Sequence, residues 1–252
     1  MTYNITSYLP TVEAIPNEIR DGRNVYEGYQ RGCGLQFWNL REHILSDKLY
    51  VEAYHKAADR TIMSEENRMN IYLILRFFLE KIPHGHIVEY GSYRGGSAIF
   101  MAYVINQLAP GTDVYALDTF EGMPETNKKI DAHNKGDFAD TDLESFQARI
   151  EELNLTNLYP VKGLFQDTNN AVMKKAGTIS MAHIDCDIAS GVRYAYENVK
   201  PHMVEGGYIV LDDATVSSCI GATEVVEQDL IRKDGLNSEQ IWPHYVFRNI
   251  RP

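Results

Sequence analysis

Ile87-Val88-Glu89-Tyr90-Gly91-Ser92-Tyr93-Arg94-Gly95-Gly96-Ser97 reads as a strand, a glycine-rich turn and the opening of a helix. A short apolar run closed by an acid is the pattern of a buried parallel strand, and Ala98, Ile99, Phe100, Met101 and Ala102 continue as helix formers. Gly91 permits positive φ and close approach by a ligand, while Gly95 and Gly96 let the helix start near the sheet. Such a turn offers bare backbone to a ligand, and the acid selects which one. A pyrophosphate would be repelled by Glu89, and the dinucleotide fingerprint needs glycine where Tyr93 stands. An amino group, a sulfonium charge and ribose hydroxyls would be matched by that carboxylate.

Outward from this stretch the pattern alternates strand and helix. Upstream, Ser64 is placed to cap a helix opened by Glu65 and Glu66, whose apolar side carries Met69, Tyr72, Leu73, Leu75, Phe77 and Leu79. Downstream, His86 to Tyr90 is the first strand and Gly95 to about Leu108 its helix, and Val114 to Asp118 is the second strand. A polar loop of about 20 residues follows, long enough for a lid. Thr141 and Glu144 read as a capping box for a helix to about Leu153. Further strands are expected at Leu158 to Val161, Ile179 to Asp185 and Tyr208 to Leu211, with terminal pieces at Gln240 to Trp242 and Tyr245 to Asn249. Asp167 and Ser190 are expected at helix starts, and another helix at Ala222 to Arg232. This order predicts an α/β fold, a mostly parallel sheet with right-handed crossovers and helices on both faces. Ligands then gather at the carboxyl ends of the strands.

The 252 residues suit one large α/β domain over 61–252, preceded by a tyrosine-rich, irregular and partly helical arm over 1–60. Aromatics of that arm, Tyr26, Tyr29, Phe37, Trp38, Tyr50 and Tyr54, are expected to pack on the domain or on a second subunit, which points to a homodimer. A net charge of −11 lacks the basic excess of many nucleic-acid binders. Cys33, Cys186 and Cys219 are odd in number and scattered, as expected of reduced cytoplasmic thiols, and Cys186 reads as a filler on a strand. No signal-peptide pattern and no apolar run of roughly 18 residues appears, so neither secretion nor a membrane span is expected. Asn154-Leu155-Thr156 is then a chance sequon.

Four strand ends carry acids: Glu89, Asp118, Asp185 with Asp187, and Asp212 with Asp213. In a parallel sheet these ends share one edge, with neighbouring strands about 4.8 Å apart. Any one of them could simply cap a helix, but the set reads better as a site. Asp118, about 27 positions after Gly91, is where an acid accepts from a ribose diol. A nicotinamide dinucleotide would use it alike; Glu89 and the broken glycine pattern favour S-adenosylmethionine. Asp187, Asp212 and Asp213 are hard oxygen ligands that suit Mg²⁺, or Mn²⁺ or Ca²⁺, better than zinc, the alternative being a carboxyl held protonated by its neighbours. His183 alternates with Asp185, so both side chains are candidates to face one way, and His133 lies in the loop after the second strand. Each is a candidate to touch the reaction or, more simply, a structural histidine. Arg94 and Arg193 are candidates for an anionic group or for surface ion pairs.

Glu89-Tyr90-Gly91-Ser92-Tyr93-Arg94-Gly95-Gly96-Ser97, Asp118-Thr119-Phe120-Glu121-Gly122-Met123-Pro124, Gly163-Leu164-Phe165-Gln166-Asp167-Thr168, Ile184-Asp185-Cys186-Asp187 and Leu211-Asp212-Asp213 together resemble the macrocin O-methyltransferase family, in order, over about 60 to 250. The resemblance implies a Rossmann-like class I methyltransferase fold with a seven-stranded sheet, S-adenosylmethionine and Mg²⁺ as cofactors, and a sugar or glycoside as the small-molecule acceptor. It implies cofactor contacts from Glu89, Gly91, Ser97, Asp118, Thr119, Phe120, Phe165, Asp167 and Asp185, with Met63 a looser match. Asp187, Asp212 and Asp213 match its metal ligands, and Asp187 also its base. Residues 1–60 do not match, which leaves the acceptor open. A metal-dependent enzyme for catechols, a nicotinamide-dependent dehydrogenase and a silent cofactor-binding partner of another enzyme are the rivals.

Overall fold

Strands β1 (His86–Tyr90), β2 (Val114–Asp118), β3 (Leu158–Lys162), β4 (Ile179–Ile184), β5 (Met203–Leu211), β6 (Ser238–Gln240) and β7 (Tyr245–Arg248) form one sheet in this computed structural model, which describes residues 40–249. Their order is β3-β2-β1-β4-β5-β7-β6. The pairs from β3 through β5 are parallel, and β7 runs against both β5 and β6. The mostly parallel seven-stranded sheet expected from the sequence is therefore present. β5 begins at Met203, earlier than expected, because Gly206 at φ 70° carries the chain through an irregularity that the Gly206-Gly207 pair made look like a turn.

Period-2 alternation divides the sheet between two apolar layers. Ile87, Met181, Tyr208 and Val210 face helices α2 (Lys48–Ala57), α3 (Glu65–Leu73) and α4 (Gly96–Leu108). Val88, Tyr90, Ala182, Ile184, Ile209 and Leu211 face α6 (Phe165–Ala176), α7 (Ala189–Val199) and α8 (Ile220–Val225). A short α1 (Leu40–Ser46) precedes α2, α5 (Leu143–Glu152) lies between β2 and β3, and α3 and α8 each run on as π-helical turns. By the same alternation Glu89 and His183 share the first face, and they are register partners across β1 and β4. Both are fully buried.

Tyr50 of α2 packs edge-on against Tyr72 and Phe100, at ring separations of 5.3 and 5.7 Å, so residues 40–57 bury their apolar side on the same core. The expectations placed on Tyr26, Tyr29, Cys33, Phe37 and Trp38 lie outside the described residues.

Helix starts are partly as expected. Ser64 Oγ accepts from Asn67 N at 3.1 Å, whereas α5 is capped by Asp142, whose carboxylate accepts from Glu144 and Ser145 N, both at 3.1 Å. A carboxylate is the stronger cap against the helix dipole, and the Thr141 hydroxyl is taken by the Tyr93 carbonyl. Asp167 lies inside the first turn of α6 rather than before it, and α7 opens at Ala189. Its Ala189 N–H is received at 2.9 Å by Asp131 Oδ1, from the loop after β2.

The outer edge strand β3 contains Pro160, and its Tyr159 is stacked on Tyr115 and covered by the Lys175 ammonium 3.8 Å from the ring centre. No helix among the described residues is long and apolar enough to cross a membrane.

Candidate active site

The turn after β1 is tighter than its glycines alone require. Gly91 sits at φ 90°, and a Cβ there would lie 1.8 Å from the Asp185 carbonyl oxygen. Gly95, at φ 82° before α4, is covered by the Phe146 ring. Asp118 at the end of β2 holds this turn from below. Its Oδ2 accepts from Ser92 N at 2.9 Å and Tyr93 N at 2.8 Å, and its Oδ1 from Phe120 N at 2.7 Å. Four lone-pair positions less three N–H bonds leave one, on Oδ1, which the Thr119 hydroxyl approaches only at 3.4 Å because its hydrogen goes to the Gly122 carbonyl at 2.7 Å. Burial raises the Asp118 pKa against these amide donors.

A cavity of about 920 Å³ opens at the carboxyl ends of the strands. That volume is at the upper end for small-molecule sites, room for a cofactor and an acceptor together. Met63, Gly91, Ser97, Asp118, Thr119 and Phe165 line it on one side, and Asp185, Asp187, Asp212 and Asp213 on the other. Three expected contacts do not reach it. Glu89 points into the layer beneath α3, Oε1 3.0 Å from His183 Nδ1, because strand alternation turns it away from the cavity face. The Phe120 ring is buried 5.9 Å from Phe146, leaving its backbone to Asp118. Asp167 is one residue beyond the lining stretch Leu164 to Gln166. Arg94 pairs with Asp140 and Arg193 with Asp229, both on the surface. Cys186 is half-buried in the turn after β4, on the cavity wall, rather than on the strand.

Carboxylate oxygens of Asp185, Asp212 and Asp213 lie within 4.8 Å of one another. Asp187 adjoins them: its N–H donates to Asp213 Oδ2 at 2.7 Å, and its Oδ1 lies 3.6 Å from His133 Nε2 and 3.4 Å from Cys219 Sγ. Burial, then the charges of the neighbouring aspartates, pushes Asp185 and Asp213 well above the usual carboxylate range. Burial also raises Asp187, with His133 opposing. Asp212 goes the other way. Burial alone would raise it, but His183 and His244 outweigh that and hold it well below the ordinary range.

Asp212 is fixed by residues the sequence did not single out. Its Oδ1 accepts from Asn67 Nδ2 at 2.7 Å and lies 2.7 Å from His244 Nε2, while His244 Nδ1 is 2.8 Å from Asn70 Nδ2. Because the Asn70 amide nitrogen can only donate, His244 accepts at Nδ1 and donates from Nε2. Burial lowers the His244 pKa, consistent with this neutral form. His183 sits between Glu89 and Asp212, 3.7 Å from the latter's Oδ1. Burial pulls its pKa down, but the two carboxylates prevail and raise it to about 9. So His183 braces the acids from beneath and does not face the cavity, whereas His133 does.

The sequence profile of the macrocin-O-methyltransferase family matches residues 58–237. The chain belongs to that family. A curated relative, the 8-demethyl-8-(2,3-dimethoxy-alpha-L-rhamnosyl)-tetracenomycin-C 4'-O-methyltransferase of Streptomyces olivaceus, is 28% identical over 158 residues. The match spans 59% of this chain and 59% of that relative's length. Among solved structures, the O-methyltransferase NovP superposes with a TM-score of 0.65 at 18% identity, covering 81% of this chain and 98% of its own. The calicheamicin methyltransferase CalS11 gives 0.61 at 16%, covering 94% and 96%. These likenesses show the fold, Rossmann-like and shared with O-methyltransferases.

Proposed function

We propose that this chain transfers a methyl group from S-adenosylmethionine to a hydroxyl of a sugar or glycosylated small molecule, with Mg²⁺ bound at the strand-end acids. Family membership supports the methyl transfer, and the relative from Streptomyces olivaceus, named for methylating a rhamnosyl group, supports the acceptor class. The observation that carries the proposal is the opening of the glycine turn, Asp118 and the acid group onto one cavity.

On this reading Gly91, Ser97 and Asp118 hold the cofactor's amino-acid and ribose parts, Thr119 and Phe165 its adenine side, and Met63 and Asp185 flank it. Asp187, Asp212 and Asp213 hold the cation. The strand-end acids fit a hard ion: Asp185, Asp212 and Asp213 oxygens crowd within 4.8 Å of one another with Asp187 adjoining through Asp213, a divalent cation would neutralise these like charges, and Asp212 is already oriented by Asn67 and His244. When bound, the cofactor supplies an activated methyl, and the cation lowers the acceptor hydroxyl's pKa toward neutrality. The protein then has two tasks. It aligns the acceptor oxygen about 3 Å from the methyl carbon, opposite the leaving sulfur. Asp187 receives the hydroxyl proton at its carboxylate as the oxygen–carbon bond forms.

Residues 1–60 are proposed to complete the acceptor pocket and to contribute to a homodimer. Mass spectrometry of sugar glycosides and catechols incubated in parallel with enzyme, S-adenosylmethionine and Mg²⁺ tests the proposal. A 14-dalton gain confined to the glycosides, abolished by chelator, is expected at about one CH₂ per turnover. Methylation of catechols alone would sink the acceptor assignment.

A further inference from the structure

We infer that His133, Asp187 and Cys219 form a second cation site for a borderline or soft divalent ion of the Zn²⁺ class, sharing Asp187 with the proposed Mg²⁺ acids. The three donors close a triangle: Cys219 Sγ to His133 Nε2 is 3.6 Å, Cys219 Sγ to Asp187 Oδ1 is 3.4 Å and His133 Nε2 to Asp187 Oδ1 is 3.6 Å. A tetrahedral ion about 2.3 Å from sulfur and about 2.0–2.1 Å from nitrogen and oxygen holds its donors about 3.3–3.6 Å apart, by the law of cosines at ~109°. The triangle therefore accepts such an ion with movements of a few tenths of an ångström, the imidazole and carboxylate drawing together.

Two further features are those of a metal site. His133 Nδ1 faces Asp137 Oδ2 at 3.4 Å, the carboxylate–histidine arrangement that leaves the Nε2 lone pair for a metal. Around Cys219 Sγ stand His133 Nε2, Asp187 Oδ1, the Ser218 hydroxyl at 3.6 Å and, at 4.0 Å, Asp213 Oδ1, so potential ligand atoms converge on the sulfur. Asp187 adopts φ 59°, a left-handed conformation uncommon outside glycine, while its N–H is held by Asp213 and its carboxylate meets His133 and Cys219.

The ligands come from three separate segments: the loop after β2, the turn after β4 and the residue before α8. All three line the cavity, so the fourth coordination position opens into it. Sulfur and imidazole distinguish this set from Asp187, Asp212 and Asp213, whose hard oxygens prefer Mg²⁺ and with which it has Asp187 in common. Binding breaks the Cys219 S–H bond, forms a sulfur–metal bond and releases the proton to solvent. Thiolate, carboxylate and a doubly charged ion sum to zero, which suits a largely buried place. The bound ion would also tie the loop after β2 to the strand ends. Where Asp187 is the proton acceptor, as proposed above, it would block methyl transfer as well.

Anaerobic titration of the full-length, chelator-stripped protein with Co²⁺ tests the site through a near-ultraviolet sulfur-to-cobalt band and visible tetrahedral bands. One equivalent per chain is expected, displaced by Zn²⁺. Cys219→Ser should abolish the sulfur band, and Asp137→Asn should weaken Co²⁺ binding by about 10–100-fold. Cys33→Ser and Cys186→Ser should keep the band, as should Asp212→Asn, so a failure of the Mg²⁺ assignment would leave this result untouched. His133→Gln, with folding checked by circular dichroism, should lose the tetrahedral spectrum. Absence of a sulfur band in the wild type, its survival in Cys219→Ser, or its loss in Cys33→Ser or Cys186→Ser would overturn the inference.

Discussion

Gly91→Ala isolates how closely the cofactor turn approaches the acid-bearing strand end. The added Cβ would start 1.8 Å from the Asp185 carbonyl oxygen and 2.7 Å from its carbon. Relief to an ordinary contact requires about 1.5 Å of backbone movement, since nothing flexible intervenes. Asp185 resists that movement: its N–H is bonded to the Tyr90 carbonyl at 2.9 Å, and Asp212 N–H to the Ile184 carbonyl at 3.0 Å. Losing both costs about 2 kcal/mol, and the positive φ adds ~1–2 kcal/mol for an L-residue. With residual overlap, the expected loss exceeds about 4 kcal/mol, together with loss of cofactor binding. Gly111 supplies the control, at φ 96° with nothing within 4 Å of a Cβ. Gly111→Ala should cost only the conformational part, ~1–2 kcal/mol. Urea denaturation of both variants gives the difference, and calorimetry with S-adenosylhomocysteine gives the binding. Equal stability losses, or native affinity in Gly91→Ala, would refute the reasoning.

Asp187→Ala should lower turnover by about 10²–10⁴-fold while leaving S-adenosylhomocysteine affinity intact; calorimetry and a methyl-transfer assay separate the two. Chelation should abolish turnover and Mg²⁺ restore it, a result that fails if the stripped enzyme remains active. His183, raised to about 9 in the fold, stabilises the metal-free protein fully below about pH 6.5 and loses that contribution as pH rises through its folded value. The loss approaches ~3 kcal/mol, and urea melts from pH 6 to about 10 should show a steeper decline for wild type than for His183→Gln. Asp131→Ala removes the acceptor for Ala189 N–H and for Asn127 N–H at 3.1 Å, so it should cost about 1–2 kcal/mol and speed proteolysis of the loop after β2. Unchanged cleavage would show that the loop is held elsewhere.

The strands were legible because their apolar runs end in acids or glycines, and the first two were bounded to the residue. The strand-end part of the cavity lining was legible for the same reason, since a parallel sheet brings its strand ends to one edge, whereas the lining from Arg60 to Asn67, Met63 apart, and Trp242-Pro243 was not. Glu89 was misjudged because its position in the run says nothing about which layer it faces; only the pairing with His183 beneath α3 does. Asn67 and His244 carry no local signal, reaching Asp212 from 145 and 32 residues away. Thr141 and Asp142 are adjacent and both able to cap, and the choice was made by Tyr93, a contact across 48 residues. Cys219 likewise becomes legible as a ligand only when two separate loops fold against it.

Pro160 has a consequence for how two such chains can meet. A proline has no amide hydrogen to lend, so the free rail of β3 carries a gap halfway along a strand of five residues. At the opposite border β6 is only three residues long. Neither margin offers an uninterrupted row of donors and acceptors on which a neighbour's strand could template itself. Among the described residues, contact between two copies is then better built from side chains on helices and loops, and a self-propagating ribbon of sheets is disfavoured at both ends.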